Sequence, residues 1–200
     1  MTSSPTLQVG AARYAITPPL GVSLAGSYAD RRAAGFHDDL YARALVIDDG
    51  AAQIAIVSCD LIGINATTVA HARRIVQERC GIPGDHVLIH ATHNHSGPLT
   101  RDLTISGMYG EVDDGYLAEL ERHIAAAVEA AFARRAPARL HLSLGECRGI
   151  AFNRRFRMRS GPVRTNAGKL NPEIVETAAP VDERLWTLTA LPPAPDAANG

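Results

Sequence analysis

The run of residues 52–91 constrains the fold more than any other part of the chain. Residues 52–59 and 87–91 are both dominated by β-branched and apolar side chains. Between them, Asn65 or Thr67 can cap a helix running to about Arg79, with Val69, Ile75 and Val76 among its apolar positions and Gly81 and Pro83 as stop signals. Strand, helix and strand in that order predict two parallel strands joined by a right-handed crossover, a βαβ unit. In open α/β sheets, sites form beyond the carboxyl ends of the strands. Here that end carries Thr92-His93-Asn94-His95-Ser96-Gly97-Pro98.

Around this unit, residues 9–17 read as a strand closed by Pro18-Pro19, and residues 20–39 as a long loop without a period. Loops longer than about 12–15 residues inside compact domains are usually functional or disordered. Residues 40–48 form a strand that reaches residues 52–59 through the hairpin signal Asp48-Asp49-Gly50-Ala51. Residues 116–135 are the clearest helix, with Leu117, Leu120, Ile124, Val128 and Phe132 recurring every three or four positions and Pro137 beyond them. Residues 140–144 read as a strand, 148–180 mostly as loop, and 185–191 as a last strand with the single Trp186. The expected fold is α/β, a mixed sheet with a βαβ unit and two long helices. Residues 192–200 are a low-complexity tail ending in the turn signal Asn199-Gly200, with no return strand after it. Residues 185–191 would then lack a hairpin partner, so the chain reads as the N-terminal part of a longer protein, an incomplete domain.

Side chains alternate along a strand, so His93 and His95 are expected on one face with Asn94 turned away. Two imidazoles a few ångströms apart make a pair of metal ligands, or one ligand and one proton carrier. The bland reading is a pair of ordinary polar residues at a strand end. Among other candidates, His37, in the long loop before Asp38-Asp39, either belongs to the site or is a surface-loop residue, the reading favoured here. Asp60 either orients a ligand or caps the loop that follows it. His90, three positions before His93, is expected to face the opposite way, into core or second-sheet packing. His71, His86, His123 and His141 read as surface or structural.

Composition narrows the remaining classes. A 46% hydrophobic content with 20% charged residues describes a globular chain, and a net charge of −1 without a Lys/Arg block argues against nucleic acid as a partner. Lys169 is the sole lysine. Cys59, Cys80 and Cys147 have no Cys-x-x-Cys spacing and read as small hydrophobes. Met1-Thr2-Ser3-Ser4-Pro5 shows no signal peptide and no window nears the roughly 18 apolar residues of a membrane span, so a cytoplasmic location is expected. The cluster Arg154-Arg155-Phe156-Arg157-Met158-Arg159 reads as a solvated loop; transient contact with an anionic membrane surface is the other reading.

Taken in order, Ala15-Ile16-Thr17-Pro18-Pro19-Leu20-Gly21, Gly35-Phe36-His37-Asp38-Asp39-Leu40-Tyr41-Ala42-Arg43-Ala44, Val57-Ser58-Cys59-Asp60-Leu61, the segment from Ala91 to Pro98, and Asn153-Arg154 resemble the N-terminal part of the neutral/alkaline non-lysosomal ceramidase family. The resemblance runs over roughly residues 8–190, and Thr-His-x-His-Ser-Gly-Pro is its most specific element. It implies a zinc-dependent amidase that splits the N-acyl bond of ceramide, or of a related lipid or small-molecule amide, into a sphingoid base and a fatty acid. It further implies that His93 binds Zn2+, that His95 beside the metal contacts the reacting amide, and that Arg154 lies in the substrate site. The family's remaining zinc ligands, a second His, a Glu and a Tyr, are expected beyond Gly200. No protein partner is implied. Two rival readings stand beside this one: a non-catalytic fragment or interaction module without a complete metal site, and a different His-x-His metallohydrolase. The latter usually carries its motif on a first barrel strand, whereas several elements precede it here.

Overall fold

The computed structural model describes residues 7–102 and 110–193. The chain divides into two compact units, one holding residues up to Arg139 together with those from Pro192 onward, the other spanning Leu140–Leu191.

The first unit is built on a five-stranded sheet. Its strands are β1 (Gln8–Ala15), β4 (Tyr41–Asp48), β5 (Gln53–Cys59), β6 (Val87–Ala91) and β7 (Ala136–Pro137), in the order β6-β5-β4-β1-β7. Strands β1, β4 and β5 run antiparallel in sequence, and β5 pairs with β6 in parallel. The hairpin turn and the βαβ unit expected from the sequence are both present, and the sheet is mixed. Helix α1 (Ala66–Cys80) is the crossover. Its cap is Asn65, whose side chain accepts from the Thr68 amide, and it ends at Gly81 in the left-handed conformation. Helix α2 (Asp114–Ala133) starts two residues before its apolar period, because Asp113 accepts from the Tyr116 amide.

Both helices pack against the same sheet face. Ala42, Ala44 and Val46 of β4 and Ala55, Val57 and Cys59 of β5 alternate toward them. They meet Ala72 and Val76 of α1 and Leu120, Ile124, Ala127 and Val128 of α2. Small residues let the layers approach closely. At Gly10 the approach is closest, since a Cβ there would lie 2.0 Å from the Ala131 carbonyl oxygen. The expected loop 20–39 holds a short antiparallel pair, β2 (Ser23–Leu24) and β3 (Arg31–Arg32).

The second unit departs from the sequence reading. Within residues 148–180 three strands form a sheet in the order β10-β9-β11, with β9 (Arg155–Met158), β10 (Val163–Thr165) and β11 (Ile174–Thr177) antiparallel. Phe156 and Met158 alternate with exposed Arg155 and Arg157, a period of two that sets the strand despite its charge. The last strand is not unpartnered either. Strand β12 (Arg184–Leu191) pairs with β8 (Arg139–Glu146) in a two-stranded sheet. The part of the expected tail beyond Pro193 lies outside the described residues. No described helix is long and apolar enough to cross a membrane.

Candidate active site

The carboxyl ends of the parallel pair β5 and β6 are stitched together by their following loops. The Thr92 amide donates to the Cys59 carbonyl and the His93 amide to the Leu61 carbonyl, each at 2.9 Å. His93 leaves β6 with φ of 63°, a left-handed backbone that non-glycine residues rarely adopt. The pairing of His93 with His95 is therefore not the product of strand alternation, since the strand stops at Ala91. It comes from this reversal and the turn after it. Asn94, expected only to face away, builds that turn: its Oδ1 accepts from the Ser96 amide at 3.1 Å.

The two rings converge. Nδ1 of His93 lies 2.8 Å from the Ile62 carbonyl oxygen, and a carbonyl only accepts, so Nδ1 carries the proton and Nε2 presents a lone pair. Nε2 of His95 stands 3.3 Å from that atom, with the rings edge-on at 78°. Both side chains are exposed.

His95 is held from a loop far away in sequence. Gly26, at φ of 91°, lies so close that a Cβ would fall 2.4 Å from the Cβ of His95. The Ala25 amide donates to the Gly97 carbonyl, the Leu99 amide donates to the Ser23 carbonyl, and Leu24 bridges Pro98. Arg31 reaches within 3.5 Å of the His95 carbonyl oxygen. Asn65 adds a tie, capping α1 with its Oδ1 while its Nδ2 donates to the Thr100 carbonyl. Sequence reasoning missed Gly26 and Arg31; the aperiodic, glycine-bearing loop was their only local signal.

Beside this constellation is a cavity of about 430 Å³. Leu24, Ala33, Phe36 and Leu40 give it apolar walls, and Ser96, next to His95, lines it.

The other candidates resolve by their contacts. Asp60 neither orients an imidazole nor caps its own loop: its carboxylate pairs with Arg43 and accepts from the Tyr41 amide, tying down the start of β4. His37, 99% exposed, pairs with Asp38, and both stand on the rim of the cavity that Ser96 lines. His90 is exposed rather than packed, because alternation along β6 puts it with Leu88 and opposite Val87, which faces the helices. His71 meets Glu121, His86 the Gln53 carbonyl, and His123 the Tyr14 ring. Arg154 belongs to the second unit, just before β9, where its carbonyl accepts from the Asn166 amide.

The bare Nε2 of His93 suits zinc, with Nε2 of His95 standing beside it at 3.3 Å. The Ile62 carbonyl supplies the outer contact that ligating histidines usually make through their other nitrogen. Among the described residues no group of three or more His, Cys, Asp and Glu is gathered for a metal.

Residues 7–158 match the profile of neutral/alkaline non-lysosomal ceramidase, N-terminal. Two solved structures are similar to the chain. One is neutral ceramidase from Pseudomonas aeruginosa, 23% identical with a TM-score of 0.70, covering 95% of this chain and 30% of that one. The other is a ceramidase complexed with C2, 25% identical with a TM-score of 0.67, covering 94% of this chain and 29% of that one. The chain thus spans about 30% of the length of these solved structures. No curated protein matches.

Proposed function

The chain belongs to the neutral/alkaline non-lysosomal ceramidase family, and from that premise we propose that it carries part of the active site of a zinc-dependent hydrolase acting on an N-acyl amide bond. The substrate is ceramide or a related N-acyl lipid, and the products are a sphingoid base and a fatty acid. The observation that carries this reading is the approach of the His93 and His95 Nε2 atoms to 3.3 Å, with His93 Nδ1 engaged by a backbone carbonyl.

His93 would hold zinc through Nε2, with further ligands supplied from outside the described residues. Bound zinc acts as a Lewis acid and lowers the pKa of water to about 7. His95 would donate a hydrogen bond where negative charge develops on the amide oxygen, or pass a proton to the leaving amine. In balance, the carbon–nitrogen bond breaks, the oxygen of water joins the acyl carbon, and the amine leaves with a proton. Gly26 and Arg31 keep His95 in position. The cavity bounded by Leu24, Phe36, Leu40 and Ser96 suits an apolar arm of the substrate. Arg154 takes a polar group of the substrate, a role that rests on the Asn153-Arg154 resemblance.

The test is an amidase assay of the zinc-supplied protein on a ceramide and on a short N-acyl amide. His93→Ala is expected to abolish turnover of both, and full activity in that variant would remove the mechanism. The second reading, a non-catalytic module, is favoured by the presence, among the described residues, of only two convergent donors. A purified protein that neither binds zinc nor hydrolyses an amide would decide for it.

A further inference from the structure

Side chains alternate along β9, and its two faces meet different charge. Phe156 and, two positions before it, Arg154 line a cavity of about 450 Å³, whereas Arg157 pairs with Glu176. Another wall of that cavity is the loop from Asn166 to Leu170, drawn onto the start of β9 by the Asn166 amide, which donates to the Arg154 carbonyl at 2.9 Å. Asn166, Gly168 and Leu170 are all left-handed, three such backbones in five residues. The Asn171 side chain braces the loop, donating to the Ala167 carbonyl and accepting from the Glu173 amide. Backbone strain of this kind collects at ligand clamps. Here it brings Lys169, the sole lysine, to the same cavity as Arg154.

Among the described residues, none that lines this cavity is an acid, and neither Arg154 nor Lys169 has an ion-pair partner. Phe152, Phe156 and Leu170 supply apolar walls, with Phe152 and Leu170 open to solvent. Together these features select a ligand that has both an apolar stretch and an anionic group. An apolar chain laid on Phe152 and Leu170 takes water from the two cations beside them. A neutral head leaves that cost standing, whereas a carboxylate offsets it through charge-assisted hydrogen bonds, bidentate to the guanidinium. A small inorganic anion would satisfy the cations and leave the apolar walls wet.

We propose that this cavity selects, among N-acyl amides, those whose amine half carries a carboxylate, as in an N-acyl amino acid. The inference rests on the amidase reading, because in an N-acyl amide with an apolar acyl half the charge falls to the amine half. It adds Lys169 to Arg154 as a specificity-determining residue.

The experiment is calorimetric titration of the 200-residue protein, without zinc, with N-octanoylglycine, its neutral counterpart N-octanoylethanolamine, and octanoate. N-octanoylglycine is expected to bind at least about tenfold tighter than the neutral amide, and to weaken as salt is added. Lys169→Gln should weaken it about fivefold without moving the neutral amide or the circular dichroism spectrum, and Lys169→Arg should restore it. Leu170→Asn, which suits a left-handed backbone, should weaken both amides alike. Equal affinity for the two amides, binding of neither, or insensitivity to Lys169→Gln overturns the proposal. Octanoate bound as tightly as N-octanoylglycine also overturns it and makes the cavity a fatty-acid site. The same amides separate selectivity from hydrolysis once zinc is supplied. Equal turnover of both removes the selectivity alone, whereas selective binding with turnover of neither removes the hydrolase alone.

Discussion

Nε2 of His93 lies 3.3 Å from Nε2 of His95 because His93 takes a left-handed backbone and Gly26 crowds His95 from the other side. A strained non-glycine residue persists where its side chain is needed. His93→Gly should therefore remove the imidazole at little cost to the fold. Relief of the left-handed penalty, about 1 kcal/mol, offsets loss of the Ile62 contact and the added freedom of the unfolded chain. Thermal unfolding should change by no more than about 1 kcal/mol while activity disappears. A large loss of stability would make His93 a structural residue.

Two glycines separate site from scaffold. At Gly26 an added Cβ meets the His95 side chain and backbone, and at Gly10 it meets the Ala131 carbonyl. Gly26→Ala should displace His95 and lower activity at least about tenfold, with the helices intact. Gly10→Ala forces α2 off β1 and should destabilise the first unit by about 3 kcal/mol. Equal effects of the two on unfolding midpoint and on activity would refute this division.

Burial pushes the Cys59 thiol up to about 12 from its ordinary 9.0, with the neighbouring Asp60 carboxylate adding to the rise. The Tyr116 hydroxyl, buried and donating to the Ile16 carbonyl, is also raised. For a group raised in the folded state, the contribution is full below the unfolded pKa and is lost as pH climbs through the folded one. Stability should accordingly fall between pH 9 and about 12, and Cys59→Ala should flatten the part of that decline due to the thiol. At neutral pH a thiol reagent should modify exposed Cys147 and spare Cys59 and Cys80, which are buried. Rapid labelling of all three in the folded protein would contradict the packing described.

Local signals in the sequence were enough for the βαβ unit. Asn65 and Gly81 mark α1, the Asp48-Asp49-Gly50-Ala51 turn sets the β4–β5 hairpin, and α2 carries a clean helical period. What escaped was non-local. The partner of β12 is β8, a pairing that no turn between them announces. Charged side chains hid the alternation of Phe156 and Met158 in β9. At the site, His93 and His95 were legible as a pair, but for the wrong reason. No residue type there signals that His93 turns left-handed, and Gly26 touches His95 only once the chain has folded.

The most direct measurement is a zinc titration of the protein followed by nitrogen-15 NMR of its histidine rings. The account predicts that the Nε2 resonance of His93 moves first and that of His95, 3.3 Å away, next, both before those of His37, His71 or His90, with Nδ1 of His93 remaining protonated. Zinc that shifts other imidazoles first, or leaves this pair unmoved, would contradict it.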